Sequence, residues 1–505
     1  MSRFHKLGWL LVILLVWFVV DTPLPLAAQS PTPTPTALKW SVPRRIPGLA
    51  DDTDPPYLIA DRNHTIHAFF SQWIEGDLAV FYTQRSTNGI WARPIDILLS
   101  PNKQQARVLG AFLDSNGMFH VIFYGGIAEG AEIYYSSAPA VEAARASAWS
   151  QPKLIGSAAT APASGALVGD DNGNLFVVYA GSRDGFGVYE AHSTDGGATW
   201  TDPKSVFLTD SRIQSVYGVQ LCVGESGWVH AVWSVVDKTG QGRGIYYDRL
   251  NIQDKQWKFP ISLADTPSGL GVHDPTIVEH RGRLYVGFYN ADMGGHFVMR
   301  SSVDDGQSWT NPFAPFASHI GSNGAGSYVV DSNGQFHLFW GQRIPGSSGT
   351  NDIHGMWYSV WRGDDEWSVP QPIVSGPQTS QFDPSSPRAI VSQGNLILVT
   401  WRQDPGLAGN GVWYSYATLN APELPVSALP TVMSNDVAVP TATATSVQLV
   451  ATSTPSPALV ASTLPGDTNS ASNVRDPDVG LLVAALSVIA LLLVVFMAQN
   501  LRRIR

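Results

Sequence analysis

The chain has one cysteine, Cys222, in 505 residues. No intramolecular disulfide can form, so the fold must rest on a large packed core. Charge is scarce too: 14% of residues are Asp, Glu, Lys or Arg, and the net charge is −10. A mildly acidic chain of this length argues against a nucleic-acid partner. Long uncharged apolar runs occur only at the two ends, and the middle is instead rich in Trp, Phe and Tyr.

The ends predict export and anchoring. Met1 to Lys6 is basic, Gly8 to Val20 is apolar, and Leu26-Ala27-Ala28-Gln29 offers small residues for cleavage. That is the pattern of a secretory signal, with an uncleaved anchor as the alternative. Gly480 to Ala498 lacks formal charge and is followed by a basic tail through Arg505, the pattern of a spanning helix with its tail in the cytoplasm. The expected organisation is a signal over 1–28, a Pro/Thr linker over 29–36, a folded domain over 37–420 and a Pro/Thr/Ser-rich stalk over 421–476. A transmembrane helix over 479–498 and a tail over 499–505 complete it. The partners this implies are the membrane, through that helix, and an extracellular ligand.

The middle repeats itself. One strand-like unit recurs from Thr65–Phe70 to Asn395–Thr400, often behind a turn such as Asp114-Ser115-Asn116-Gly117. A second unit runs from Val80-Phe81-Tyr82 to Val412-Trp413-Tyr414, and a third is a Trp followed three residues later by Pro. Six copies of the third unit follow a second unit, from Trp91/Pro94 to Trp367/Pro370; the seventh is displaced to Trp40/Pro43. An all-β propeller of seven four-stranded antiparallel blades follows, with the N-terminal strand completing the last blade and closing the ring.

Two copies carry Ser193-Thr194-Asp195-Gly196-Gly197-Ala198-Thr199-Trp200 and Ser302-Val303-Asp304-Asp305-Gly306-Gln307-Ser308-Trp309. Both fit S-x-D-x-G-x-x-W and resemble the Asp-box, or BNR repeat, of the sialidase superfamily. The expected roles are structural. Asp195 and Asp304 accept hydrogen bonds within a hairpin, Gly197 and Gly306 take positive φ, and Trp200 and Trp309 pack between blades. The family also carries an Arg-Ile-Pro whose arginine grips a substrate carboxylate, and Arg45-Ile46-Pro47 matches those letters. The repeat nevertheless aligns this segment with an outer fourth strand, away from the axis. The family's propellers are six-bladed, a second departure.

Candidate site residues lie where the innermost strands begin: Asp54, Arg107, Ala163, Tyr217, Asp274, Gly324 and Ser386, with His273, Asp383 and Arg388 beside them. Asp54 and Asp274 are the candidate catalytic acids of a glycosidase, which needs two carboxyl groups across a bond; Asp before Pro is otherwise a turn-starter. Arg107, Tyr217, His273, Asp383, Arg388 and the loop residue Arg402 are candidate ligand contacts. A carboxylate-gripping arginine triad would need a loop arginine beside Arg107 and Arg388. His67, His120, His230 and His337 share one repeat position that elsewhere holds Phe176, Tyr285 and Ile397, so the slot reads as packing and no metal or cofactor is called for. Two functions follow: a tethered propeller that binds glycan or another extracellular ligand at its axial face, or an exo-glycosidase of sialidase-like type. A scaffold using the blade edges is a third.

Overall fold

The computed structural model describes residues 37–429 except 103–104, 128–129, 159–162, 211–214, 267–268, 344–353, 364, 377–381 and 404–409. All of these belong to the first of two compact units, Met1–Ser434 and Asn435–Arg505. The expected signal, linker, transmembrane helix and tail lie outside the described residues, as does the stalk from 430 on. Among the described residues no helix is long and apolar enough to cross a membrane.

Seven antiparallel sheets follow one another along the chain. Blade 1 consists of Tyr57–Ala60, Ile66–Ile74, Asp77–Arg85 and Ile95–Leu98, from the axis outward, and blades 2 and 3 repeat this plan. Blade 7 takes Pro384–Ser392, Leu396–Gln403 and Val412–Thr418, then receives the N-terminal Arg44–Arg45 as its outer strand. Arg44 pairs with Tyr414 and Arg45 with Trp413. The predicted closure is therefore present, and it places Arg45 on the periphery, where it pairs with Asp51. The inner strand of blade 7 lies against that of blade 1, which leaves no long unpaired sheet edge across the junction.

The Trp-x-x-Pro spacing shapes each outer strand. Proline has no N–H to donate, so the ladder cannot run through it. In blades 4 and 6 the outer strand is accordingly split, into Gln256–Trp257 with Ile261–Asp265 and Glu366–Trp367 with Gln371–Gly376. Blade 5 departs from the four-strand expectation. Its sheet has three strands, and the outer position is met only by bridges at Met299–Phe313 and His296–Ile320. Pro312 and Pro315 flank Phe313 there, which explains why no continuous strand forms.

The tryptophans seal one blade to the blade before it. Trp200 meets Tyr135 edge-on at 5.0 Å, Trp309 meets Tyr247 at 4.9 Å, and Trp91 meets Tyr414 at 5.7 Å. Trp40 does the same for blade 7, packing on Tyr358 of blade 6 at 5.4 Å. The histidine slot is a second interior ladder. His67, His120, His230 and His337 bond through Nδ1 to Tyr82, Tyr135, Tyr247 and Tyr358 at 2.7–2.8 Å. In three of these blades Nε2 faces a turn aspartate, Asp61, Asp114 or Asp331. Only His67 is hydrogen-bonded at both nitrogens; among the described residues Nε2 of His120, His230 and His337 is buried without a hydrogen bond, so these rings act mainly as packed core groups. Beyond Thr418 the chain crosses the turns of blades 6, 7 and 1. Asn333 donates to the Asn420 carbonyl, and the amides of Leu424 and Ser427 donate to the carbonyls of Gln393 and Arg62. The expected stalk therefore starts with a segment held against the ring.

Candidate functional site

Antiparallel pairing divides the loops between two faces. The starts of the inner strands, the ends of the second strands and the starts of the third strands share one face. The Asp-Ser-Asn-Gly and S-x-D-x-G-x-x-W turns share the other. In those turns Asp195 accepts from the Thr199 amide and hydroxyl at 2.8 and 2.6 Å, and Asp304 from those of Ser308 at 2.9 and 2.5 Å. These bonds hold both carboxyls down at about 2. Gly197 and Gly306 have φ of 84° and 79°. Ser193, Asp195, Gly197 and Trp200, like Ser302, Asp304, Gly306 and Trp309, thus serve structure on the face opposite the candidate site.

On the site face, register defines two rings of residues at the axial mouth. Arg107 pairs with Tyr124, Tyr217 with Ser234, His273 with Tyr289, and Ser385 with Arg402. The His–Tyr and Trp positions recur from blade to blade, whereas these change. Just after each of these inner-strand residues the strand is irregular, with register shifts before Gly110, Gln220, Thr276 and Arg388. The residue after Tyr217, His273 and Ser385 sits in the left-handed region: Gly218 at 64°, Asp274 at 56° and Ser386 at 53°. His273 and Ser385 therefore occupy the slot of Arg107 and Tyr217, while Asp274 and Ser386 lie one residue on, in the bulge. A one-residue offset of this kind has no signature in the repeat, because both residues are polar and both precede a core strand.

Three groups of candidate residues form. In the first, Asp54 lies between two guanidinium groups, with Oδ2 2.6 Å from Arg107 Nη1 and Oδ1 2.9 Å from Arg402 Nη1. Blade 1 supplies the carboxylate, and blades 2 and 7 supply the arginines. Arg388, also from blade 7, lies over the Tyr57 ring at 4.7 Å, a favourable cation–π placement. Arg402 is thus the loop arginine that shares Asp54 with Arg107. In the second group, His273 Nδ1 is 2.7 Å from Asp274 Oδ2, and its ring lies 4.5 Å from that of Tyr289. Burial and the charge of Asp274 push the Tyr217 hydroxyl well above the usual phenol range. In the third, at the boundary of blades 6 and 7, Asp383 is buried against His354, Asn323 and Arg343. Asp54 and Asp274 thus belong to separate groups, each with its own partners.

Chemically, the first group suits an anion. Arg107 is 44% exposed, so part of its planar fork faces solvent. Such forks match carboxylate and sulfate geometry. Asp54, accepting from both arginines, fits the role of an anchor better than that of a proton donor. Among the described residues no cluster of three or more His, Cys, Asp or Glu side chains could hold a metal ion. Sequence reading missed Asn323, Arg343's link to Asp383, and His354; His354 had no signal, since it falls outside the recurring histidine slot.

No protein-family model and no curated protein matches the chain. Solved structures do. The chain is similar to a protein of unknown function from Dyadobacter fermentans, at 13% identity and a TM-score of 0.47, over 75% of this chain and 99% of that one. It is similar to an ulvan lyase of a polysaccharide lyase family, at 13% identity and a TM-score of 0.48, over 75% and 97%. It is also similar to the intramolecular trans-sialidase of Ruminococcus gnavus, at 11% identity and a TM-score of 0.43, over 75% and 96%. Sialidases, which the sequence resembles, are thus among the solved structures similar to it.

Proposed function

We propose that this chain is a membrane-anchored, extracytoplasmic propeller that binds an acidic glycan on its site face. The observation that carries the reading is Asp54 held between Arg107 and Arg402, with Arg388 over the Tyr57 ring, on an otherwise acidic chain. Sequence supports the anchoring: the apolar run from Gly480 to Ala498 and its basic tail are the pattern of a spanning helix. The last described segment, up to Leu429, runs along the turn face. The test is a glycan array probed with the full chain. Retention of carboxylated or sulfated sugars over neutral ones, weakened by salt, supports the reading; binding of neutral sugars alone, or none, removes it.

A second reading is cleavage of the same ligand, as in a sialidase-like glycosidase. It is favoured by the His273–Asp274 pair, since a carboxylate at Nδ1 fixes the imidazole and leaves Nε2 as a base. Incubation with acidic oligosaccharides distinguishes the two: new reducing ends that disappear in His273→Gln support an enzyme, and unchanged sugars support binding alone.

A further inference from the structure

A further arginine, Arg343, is presented on the site face by groups that are themselves almost wholly buried. Asp383 and His354 each have 1% of the side chain exposed, and they meet at 2.9 Å between Oδ1 and Nδ1. Asn323 Nδ2 donates to the same oxygen at 3.1 Å, and Arg343 Nη2 donates to Oδ2 at 2.9 Å. The carboxylate is thus fixed on one side by blade 6 residues, and it fixes the guanidinium on the other. Arg343 is 43% exposed, so one edge of its fork is anchored while part of it remains in solvent.

The repeat does not require this cluster. His354 lies four residues before Tyr358, a slot held by Leu78 in blade 1, Ala131 in blade 2 and Arg243 in blade 4. The repeat therefore fixes no polarity at this position. A buried ionic group is a poor stabiliser relative to packed apolar side chains, because the lost hydration offsets much of the attraction.

We propose that Arg343 is a second anion-binding subsite, so that the glycan is bound as a chain with at least two acidic groups rather than as a single terminal sugar. This rests on the reading that the Asp54 site takes an acidic glycan. Arg107, Arg388 and Arg402 hold one acidic group, and Arg343 holds another further along the same chain. The second contact is then intramolecular, so affinity rises with chain length without new chemistry.

Calorimetry on the full chain tests this with galacturonate and its oligomers of about two to six residues, together with sulfated oligomers of matched length. The expected result is a gain of about tenfold or more from monomer to longest oligomer. That gain should fall below about threefold in Arg343→Gln and recover in part in Arg343→Lys, which restores charge without the fork. A melting curve for each variant separates loss of contact from loss of fold. Length-independent binding, or a gain that Arg343→Gln leaves intact, overturns the second subsite while the acidic-glycan reading stands. Failure of every acidic probe to bind removes both.

Discussion

The hydroxyl of Tyr135 in blade 2 reaches the turn of blade 3 so closely that a methyl group on Gly197 would lie 2.0 Å from it. The same hydroxyl bonds His120 at 2.7 Å and donates to the Gly196 carbonyl at 3.3 Å. Tyr247 and Gly306 repeat the arrangement between blades 4 and 5, at 1.9 Å. The glycine of S-x-D-x-G-x-x-W thus has two duties: it takes a positive φ, and it makes room for a tyrosine of the preceding blade. This couples the interior His–Tyr ladder to the peripheral turns.

Gly197→Ala should therefore destabilise the ring more than strain alone. Positive φ costs a non-glycine residue about 1–2 kcal/mol, and displacement of Tyr135 adds to it. Thermal melting should show a drop of several degrees, with Gly306→Ala behaving alike. A melting temperature unchanged in both would show that the tyrosine contact is not needed.

Trp40→Ala should weaken ring closure. Removing a large aromatic side chain from a packed site costs about 3–5 kcal/mol, and Trp40 packs on both Phe339 and Tyr358. Hydrogen exchange should rise first in Val412–Thr418, the strand that pairs with the N-terminal one. Exchange that rises uniformly, or not at all, would count against closure by this residue.

Arg107→Ala should reduce binding of acidic glycans at least about tenfold, the scale of a charge-assisted contact, with a stability change below about 1 kcal/mol because its ion pair is half exposed. Calorimetry with the tightest-binding array sugar, beside a melting curve, checks both. Undiminished binding would exclude Arg107 from the site.

The histidine ladder predicts acid sensitivity with a definite sign. His230 lacks the turn aspartate of the other blades, because Gly224 stands there, and burial pulls it down to about 4. An unfolded histidine protonates near about 6.5, so the folded state binds the proton less readily. Stability is therefore full above about pH 6.5 and is lost as pH falls toward 4, by up to about 3 kcal/mol from this group. Burial lowers His337 to about 4 as well, although Asp331 faces it, so desolvation rather than the missing carboxylate sets the loss. His230→Phe, which puts in this slot the residue type that blade 3 carries at Phe176, should therefore flatten it. NMR titration of the His230 ring and melting curves of both proteins between pH 7 and 4 check this, and a ring that titrates near about 6.5 or an unchanged pH slope in the variant would refute the assignment.

Much of the architecture was legible in the sequence because it is periodic. Strand alternation, turn residues and Trp-x-x-Pro spacing recur, and the displaced copy at Trp40 closed the ring on paper. The same alignment moved Arg45 to the periphery, where it lies beside Trp413. Blade 5 escaped because its outer strand is broken by Pro312 and Pro315, whose missing donors outweigh a spacing that otherwise fits.

The chain of letters by itself determined that there are seven blades, which strand completes the last, and that the S-x-D-x-G-x-x-W turns are structural. Each depends on local patterns that repeat. Only the tertiary structure decided which polar residues meet. Arg402 and Asp54 are 348 residues apart, and they touch because closure brings blade 7 against blade 1. Arg343, His354, Asn323 and Asp383 converge only where two blades pack together. Such contacts arise from non-recurring residues at the strand ends, where a bulge of one residue redirects every side chain. The fold was therefore written in the repeat, and the site in its departures from it.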